Sequence, residues 1–333
     1  MKHSKLLSII SSILFIFTLF NSNITASNIK PILPPLSKNQ NNDSIKKWTV
    51  NGLSSLTFNQ LSLTNWAAGG ESSLAGKLFI NLNANYVNGK FSNQNAAILA
   101  YGLISSEQNK TQKTDDKIDL SSSFNYVAYK NWSYSALAQL KTQFANGFKY
   151  PDDTTVISTF FAPAYLTISL GMNYTPTKSL SLFFAPAAGR FTFVLNQTLA
   201  DNGAFGVKKA KLDDNGNVLV RGKNLLGELG INFVLKYNEE IFKNIQINSI
   251  LNLFNNYLDD NENNRWNIDV DWETNLNFVV NKYISAILYW HLIYDHDVKI
   301  PTYEIIDGKK TEIKRSPKLQ FKESLGISLT YKF

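Results

Sequence analysis

The chain has 333 residues, 44% hydrophobic, 13% aromatic and 18% charged, with no cysteine. That excludes a disulfide scaffold, a thiolate metal site, a cysteine nucleophile and a lipoprotein anchor. The net charge of +7 sits mostly at one end, because residues 1–47 hold six lysines against Asp43 alone; the near-neutral remainder lacks the basic patch of a nucleic-acid partner.

Lys2 and Lys5 precede an apolar run from Leu6 to Phe20, which Asn21, Ser22 and Asn23 end. Thr25, Ala26 and Ser27 then offer small residues for cleavage. The pattern predicts a secretory signal peptide over 1–27. An uncleaved anchor is the alternative, but a membrane helix needs about 20 apolar residues. Residues 28–47 carry Pro31, Pro34 and Pro35 and a run of Asn and Gln. They predict a flexible periplasmic linker with nothing to bury.

From Trp48 onward the period is two. The clearest case is 319–333: Leu319, Phe321, Leu325, Ile327, Leu329, Tyr331 and Phe333 share one face, and Gln320, Lys322, Ser324, Gly326, Ser328, Thr330 and Lys332 the other. Such alternation predicts a strand with one apolar and one wet face. Similar patterns occupy 74–86, 132–148, 160–174, 225–237 and 266–280, with weaker ones at 49–63, 91–106, 118–129, 178–195, 244–257 and 282–298. The expectation is an all-β fold, a single antiparallel transmembrane barrel of about 12 strands over 48–333. A soluble sandwich would use strands of about 5–6 residues, and these are twice as long.

The connections alternate. Short turns are expected at Asn88–Gly89, Lys130–Asn131, Pro176–Lys178 and Asn281–Lys282, with a longer one over Asn238–Lys243. Long loops fall at 64–72, 107–117, 149–157, 199–223, 258–264 and 299–318. Short periplasmic turns and long external loops fit a protein of the cell outer membrane. Asn215–Gly216 and Asp307–Gly308 predict external hairpins. Aromatics near the strand ends, among them Tyr86, Tyr126, Tyr129, Trp132 and Tyr174, suit the interfacial girdles.

The ending Tyr331–Lys332–Phe333 resembles the terminal aromatic signature of outer-membrane barrels, which implies that barrel assembly machinery reads Phe333. Trp48, Phe58–Asn59–Gln60 and Asn65–Trp66–Ala67–Ala68–Gly69–Gly70–Glu71 resemble the opening of a family of exported Bacteroidota proteins, the domain of unknown function 3078. The resemblance would extend over 48–333. It implies compartment and fold and brings no activity, ligand or catalytic residue. Physically, Gly69 and Gly70 can take positive φ and admit a close approach, with Asn65, Trp66 and Glu71 around them; an ordinary turn with an interfacial tryptophan explains the same residues.

Candidate chemistry is sparse. There is no phosphate loop, paired-histidine motif or nucleophile elbow, and no cofactor or metal is called for. In 282–298 the lumen face carries His291, Asp295 and Asp297; in 266–280 it carries Asp269, Asp271 and Glu273. A tight turn joins the two strands, so the register brings Asp269 toward Asp295 and Asp271 or Glu273 toward His291. This lumen patch has three readings. It is a wet wall balanced by Lys77, Lys141, Arg190, Lys236 and Lys322; a charged constriction that selects ions; or a hydrolase site that activates water. Outside, Lys208, Lys209, Lys211, Arg221, Lys223, Lys299, Lys309, Lys310, Lys314, Arg315 and Lys318 form a basic rim. Membrane lipid, and the phosphate-bearing glycolipid of the outer leaflet in particular, would be attracted to it; intermixed acids make plain solvation an equal account. The sequence thus points first to a narrow passive pore for small hydrophilic solutes or ions. Behind it stand a binding barrel that works through its hairpins, and a membrane hydrolase.

Overall fold

The computed structural model describes residues 47–63, 71–107, 111–150, 152–259, 261–306 and 309–333, with the backbone alone at Lys309 and Lys310. The expected signal peptide, the linker as far as Lys46, Asn65, Trp66, Gly69, Gly70 and the Asp307–Gly308 turn lie outside the described residues.

Twelve strands close into one antiparallel barrel, each hydrogen-bonded to its neighbours in the chain and the last to the first. They are β1 (Trp48–Leu61), β2 (Ser73–Asn88), β3 (Phe91–Ser106), β4 (Gln112–Tyr129), β5 (Trp132–Thr142) and β6 (Ala164–Tyr174). There follow β7 (Leu180–Phe193), β8 (Leu225–Phe242), β9 (Ile245–Asn255), β10 (Asp269–Val279), β11 (Ile284–Tyr294) and β12 (Gln320–Lys332).

Alternation decides which face meets lipid. Leu74, Leu78 and Leu82 of β2, Leu225 and Leu229 of β8, and Phe321, Leu325 and Ile327 of β12 all stand exposed on the outside. In water such a surface would be a liability; against hydrocarbon it is the favourable arrangement. At the short-turn rim, rings run from strand to strand: Trp48 lies 5.2 Å from Tyr86, Tyr86 6.2 Å from Phe91 and Phe91 6.4 Å from Phe124. Trp132 stacks on Tyr174 at 4.6 Å. No helix among the described residues is long and apolar enough to cross a membrane; the strands cross it. An apolar outer wall, an aromatic rim and a closed polar-lined sheet make this an outer-membrane barrel.

The turns explain themselves locally. Gly89 (φ +59°) with Lys90, Lys130 (φ +46°) with Asn131, and Lys243 with Asn244 (φ +67°) each reverse the chain in two residues. The sequence predicts a longer turn at Asn238–Lys243, yet β8 continues to Phe242, because Asn238, Glu239 and Glu240 pair with Asn248, Ile247 and Gln246. Likewise β4 starts at Gln112, inside the expected 107–117 loop. Its charged residues are accepted because Lys117 finds Glu273 across the lumen and Asp115 meets Lys77 two strands away. Pro186 interrupts β7: having no N–H, it breaks the ladder, and the register shifts against both β6 and β8.

The external loops are built structures. Lys211–Leu212 pairs with Val218–Val220, and Lys299–Ile306 pairs with Lys309–Pro317, as the two hairpin turns predict. The longest helix among the described residues, α1 (Gln197–Asp201), is missing from the sequence reading. Its N-cap is Asn196, whose side chain accepts from the Leu199 N–H at 3.2 Å. Leu199 and Ala200 pack with Ala162, Val194 and Val207, and Phe205 and Leu226 lie against them.

The β6–β7 junction generates a prediction. A Cβ at Gly171 would strike the Phe184 carbonyl of the bulged strand, whereas one at Gly76 would meet open space. Gly171→Val is expected to cost about 1–3 kcal/mol, read as a lower urea midpoint for unfolding from lipid vesicles. Gly76→Val should leave that midpoint unchanged, and equal midpoints for both variants would refute the packing argument.

Candidate functional site

Lumen charge collects toward the long-loop rim, in three nodes. In the first, Lys117 of β4 reaches Glu273 of β10 at 2.5 Å, and Lys141 of β5 reaches Asp271 at 2.6 Å. β4 and β10 are six places apart in a ring of twelve, so the Lys117–Glu273 pair spans the diameter. Asp271 also holds His291 Nε2 at 2.9 Å, and Glu273 lies 3.9 Å from the same nitrogen. Tyr289 donates its hydroxyl to Glu273 at 3.2 Å. The Asp271, Glu273 and His291 ligand atoms lie within 4.8 Å of one another. A metal could bridge that spacing, but both carboxylates already hold an ammonium group.

The second node centres on Arg190 of β7. It grips Glu228 of β8 through two bonds of 2.7 Å and reaches Asp269 at 2.7 Å. Fork-to-fork geometry makes this the most directional pair in the lumen. In the third, Lys77 of β2 (2.5 Å) and Lys322 of β12 (3.1 Å) converge on Asp115 of β4.

The structure therefore divides the residues the sequence grouped. Asp271, Glu273 and His291 come together, with Glu273 directly opposite His291 in the ladder. Asp269 belongs to the arginine node. Asp295 serves its own turn, accepting from the Asp297 N–H at 2.8 Å. As follows from the Val270–Tyr294 pairing, it stays beside Asp269, which accepts from the His296 N–H at 3.1 Å. Of the expected balancing cations, Lys77, Lys141, Arg190 and Lys322 are paired, while Lys236 makes no ion pair among the described residues. Lys117, Asp115, Glu228 and Tyr289 are missing from the sequence reading. The spacing Asp115–Lys117–Asp119 was the available signal for the β4 residues, since alternate positions face one way.

Between the nodes the lumen is filled unevenly. Leu137, Phe183, Ala185 and Val234 form a buried apolar cluster with Ile250 against it, on the β5, β7, β8 and β9 side. Along the opposite wall, β12, β1 and β2 border a cavity of about 250 Å³. A smaller void of about 20 Å³ is bordered by Asn125, Phe183 and Lys236.

Other candidate residues sit at the edges. Glu71 lies in the segment before β2, with the rest of its motif outside the described residues. Phe333 closes the sheet: it exchanges backbone hydrogen bonds with Gly52 at 2.8 and 3.0 Å, and its ring occupies the space a Cβ at Gly52 would need.

Asp297 stands three residues past the end of β11, beneath the β7–β8 loop, where a Cβ at Gly206 would sit 3.4 Å from its own. Burial, then the Asp295, Glu228 and Asp269 carboxylates, push its carboxyl up to about 6 against the pull of Arg190. A pKa raised in the folded state means that the folded barrel holds this proton more tightly. The stabilisation is present below the ordinary carboxylate range and is lost as pH rises through about 6. Asp297→Asn is expected to raise the urea midpoint relative to the natural chain at neutral pH, and to raise it less in mild acid. A pH-independent difference would show that Asp297 does not titrate in this range.

No curated protein matches the chain. Among solved structures, the COG4313 outer membrane channel from Pseudomonas putida F1 aligns at 8% identity and TM-score 0.39, covering 89% of this chain and 100% of the other. The translocator domain of autotransporter NalP from Neisseria meningitidis aligns at 9% and 0.32, covering 87% and 90%. A FadL homologue from Pseudomonas aeruginosa aligns at 10% and 0.30, covering 86% and 90%. By sequence, residues 58–148 match the family model described as protein of unknown function (DUF3078), a narrower span than 48–333, and over that segment the chain is similar to a family with no assigned activity.

Proposed function

We propose that this barrel is a narrow passive pore or transport protein for small hydrophilic solutes or ions. The observation that carries the reading is the cavity of about 250 Å³ along the β12–β1–β2 wall, with Lys77, Asp115 and Lys322 among apolar neighbours in its lining, across from the apolar packing that fills the opposite wall. Twelve strands enclose less than the sixteen of an open porin and more than the eight of a filled barrel. The nodes narrow the path further, since Lys117–Glu273 crosses it. Balanced charge favours the reading of a wet, paired wall over a purely acidic constriction. It also weighs against a hydrolase, because Asp271 and Glu273 are engaged by lysines and are not free to activate water.

The same proposal takes 1–27 as a cleaved signal, 28–47 as a periplasmic linker, Phe333 as the residue read during assembly and the basic rim as a contact for outer-leaflet glycolipid. A second reading, a binding barrel acting through its loops, draws on one observation. The external hairpins expose apolar side chains, with Leu219 67% and Ile305 80% exposed.

Planar-bilayer recording of the refolded protein tests the pore. Small stepwise conductance is expected, and none across a wide voltage range would overturn the proposal in favour of the hairpin reading. Asp271→Asn strips Lys141 and His291 of their shared partner and leaves a positive charge on the path. The reversal potential in a salt gradient should therefore move toward anions, and an unmoved potential would place this node off the conduction path.

A further inference from the structure

The cavity along the β12–β1–β2 wall has an excess of cations over carboxylates at its node, whereas the arginine node has one cation for two carboxylates. Two ammonium groups, Lys77 and Lys322, share the single carboxylate of Asp115. At the other nodes each cation has at least one carboxylate to itself. Glu323 also borders the cavity, but it is exposed and pairs with Trp290 on the face of β12 opposite to Lys322. On the lumen face the positive charge is therefore in excess, where charge is less screened than in bulk water.

Two further features point to an organic ligand. Ser55 is 3% exposed, lines this cavity, and its Oγ has no hydrogen-bond partner among the described residues. A buried hydroxyl left unpaired costs free energy of about 1–3 kcal/mol, which a ligand hydroxyl would recover. The Tyr289 ring forms part of the wall, held by its own bond to Glu273, with Lys77 Nζ 4.7 Å and Lys322 Nζ 5.8 Å from its centroid. An aromatic face beside cations suits a ring that carries C–H groups and a charge. The volume of about 250 Å³ corresponds to roughly eight waters of ~30 Å³ each. It falls below the ~300–1,000 Å³ of larger ligand sites, so the occupant is no larger than a monosaccharide.

We infer that this cavity binds a small hydroxylated organic anion, with Lys77 and Lys322 on its charged group and Ser55 on a hydroxyl. The inference names a solute class for the proposed pore and rests on that reading. Asp115 is then the group that holds the two lysines in place and competes with the ligand for them.

Calorimetric titration of the full chain in detergent, with glucuronate, glucose and inorganic phosphate, tests it. Glucuronate is expected to bind at least about tenfold more tightly than glucose. Lys77→Met and Lys322→Met should each weaken it by about tenfold, with folding checked by heat-dependent gel mobility. Asp115→Asn frees both ammonium groups and should tighten it; a merely structural Asp115 would give a loss instead, and that result would overturn the assignment. Equal binding of glucuronate and glucose, or binding of neither, would also overturn it without needing any variant to fold. Phosphate binding as tightly as glucuronate would remove the hydroxyl contact and with it the proposal. Binding is read independently of conductance: a site without current removes the pore and keeps the site, and current without binding does the reverse.

Discussion

The structure depends on closing the sheet. In hydrocarbon every backbone N–H and C=O must find a partner within the protein, so an open edge is not tolerated. Here the last strand returns to the first over six registered pairs, Leu53–Phe58 against Ile327–Lys332, where every other neighbouring pair has ten to sixteen. The exchange between Gly52 and Phe333 extends that short ladder to the end of the chain. With glycine at position 52 the Phe333 ring lies directly over the backbone of β1. The terminal aromatic residue is thus a structural part of the closure, whatever else reads it.

Closure also makes the charged lumen possible. A lone carboxylate or ammonium withdrawn from water is costly, and pairing offsets this only with good geometry. An open sheet could bring together only residues on neighbouring strands. A closed one brings β4 opposite β10, so that Lys117 meets Glu273 across the interior. The same curvature lets Lys322 of β12 reach Asp115 of β4. These pairs tie distant walls together, and a one-residue slip in either strand would carry its member to the lipid face.

The interior is asymmetric for a reason visible in the residues. Leu137, Phe183, Val234 and Ile250 occupy inward positions, so one side of the lumen is packed like an ordinary core. The β12–β1–β2 side presents Ser55, Thr57, Gly326 and Ser324 instead, and these small side chains cannot fill the space. Above, α1 and its cluster build a small second core from the β7–β8 loop, which buries Asp297 at the mouth. The cavity on which the proposed pore and its ligand site both rest and the carboxyl of Asp297 thus lie in different parts of one barrel.

Sequence alone determined the strand count, the faces and the order of short and long connections, because a half-buried strand alternates with a period that is visible in the order of its residues. It also brought Asp271 or Glu273 toward His291, since a tight turn sets the register of the strands it joins, and the structure puts Glu273 directly opposite. It could not reveal that Asp271 and Glu273 are held by Lys141 and Lys117. Those lysines lie more than a hundred residues away, and their meeting depends on how far around the ring each strand falls. For the same reason Asp269, Asp271 and Glu273 of the apparent acidic patch are held by cations from distant strands, while Asp295 and Asp297 make no ion pair among the described residues. The start of β4, read as loop from its charges, became strand once those charges had partners. Local periodicity encodes a strand and its faces; only closure of the sheet decides which faces look at one another.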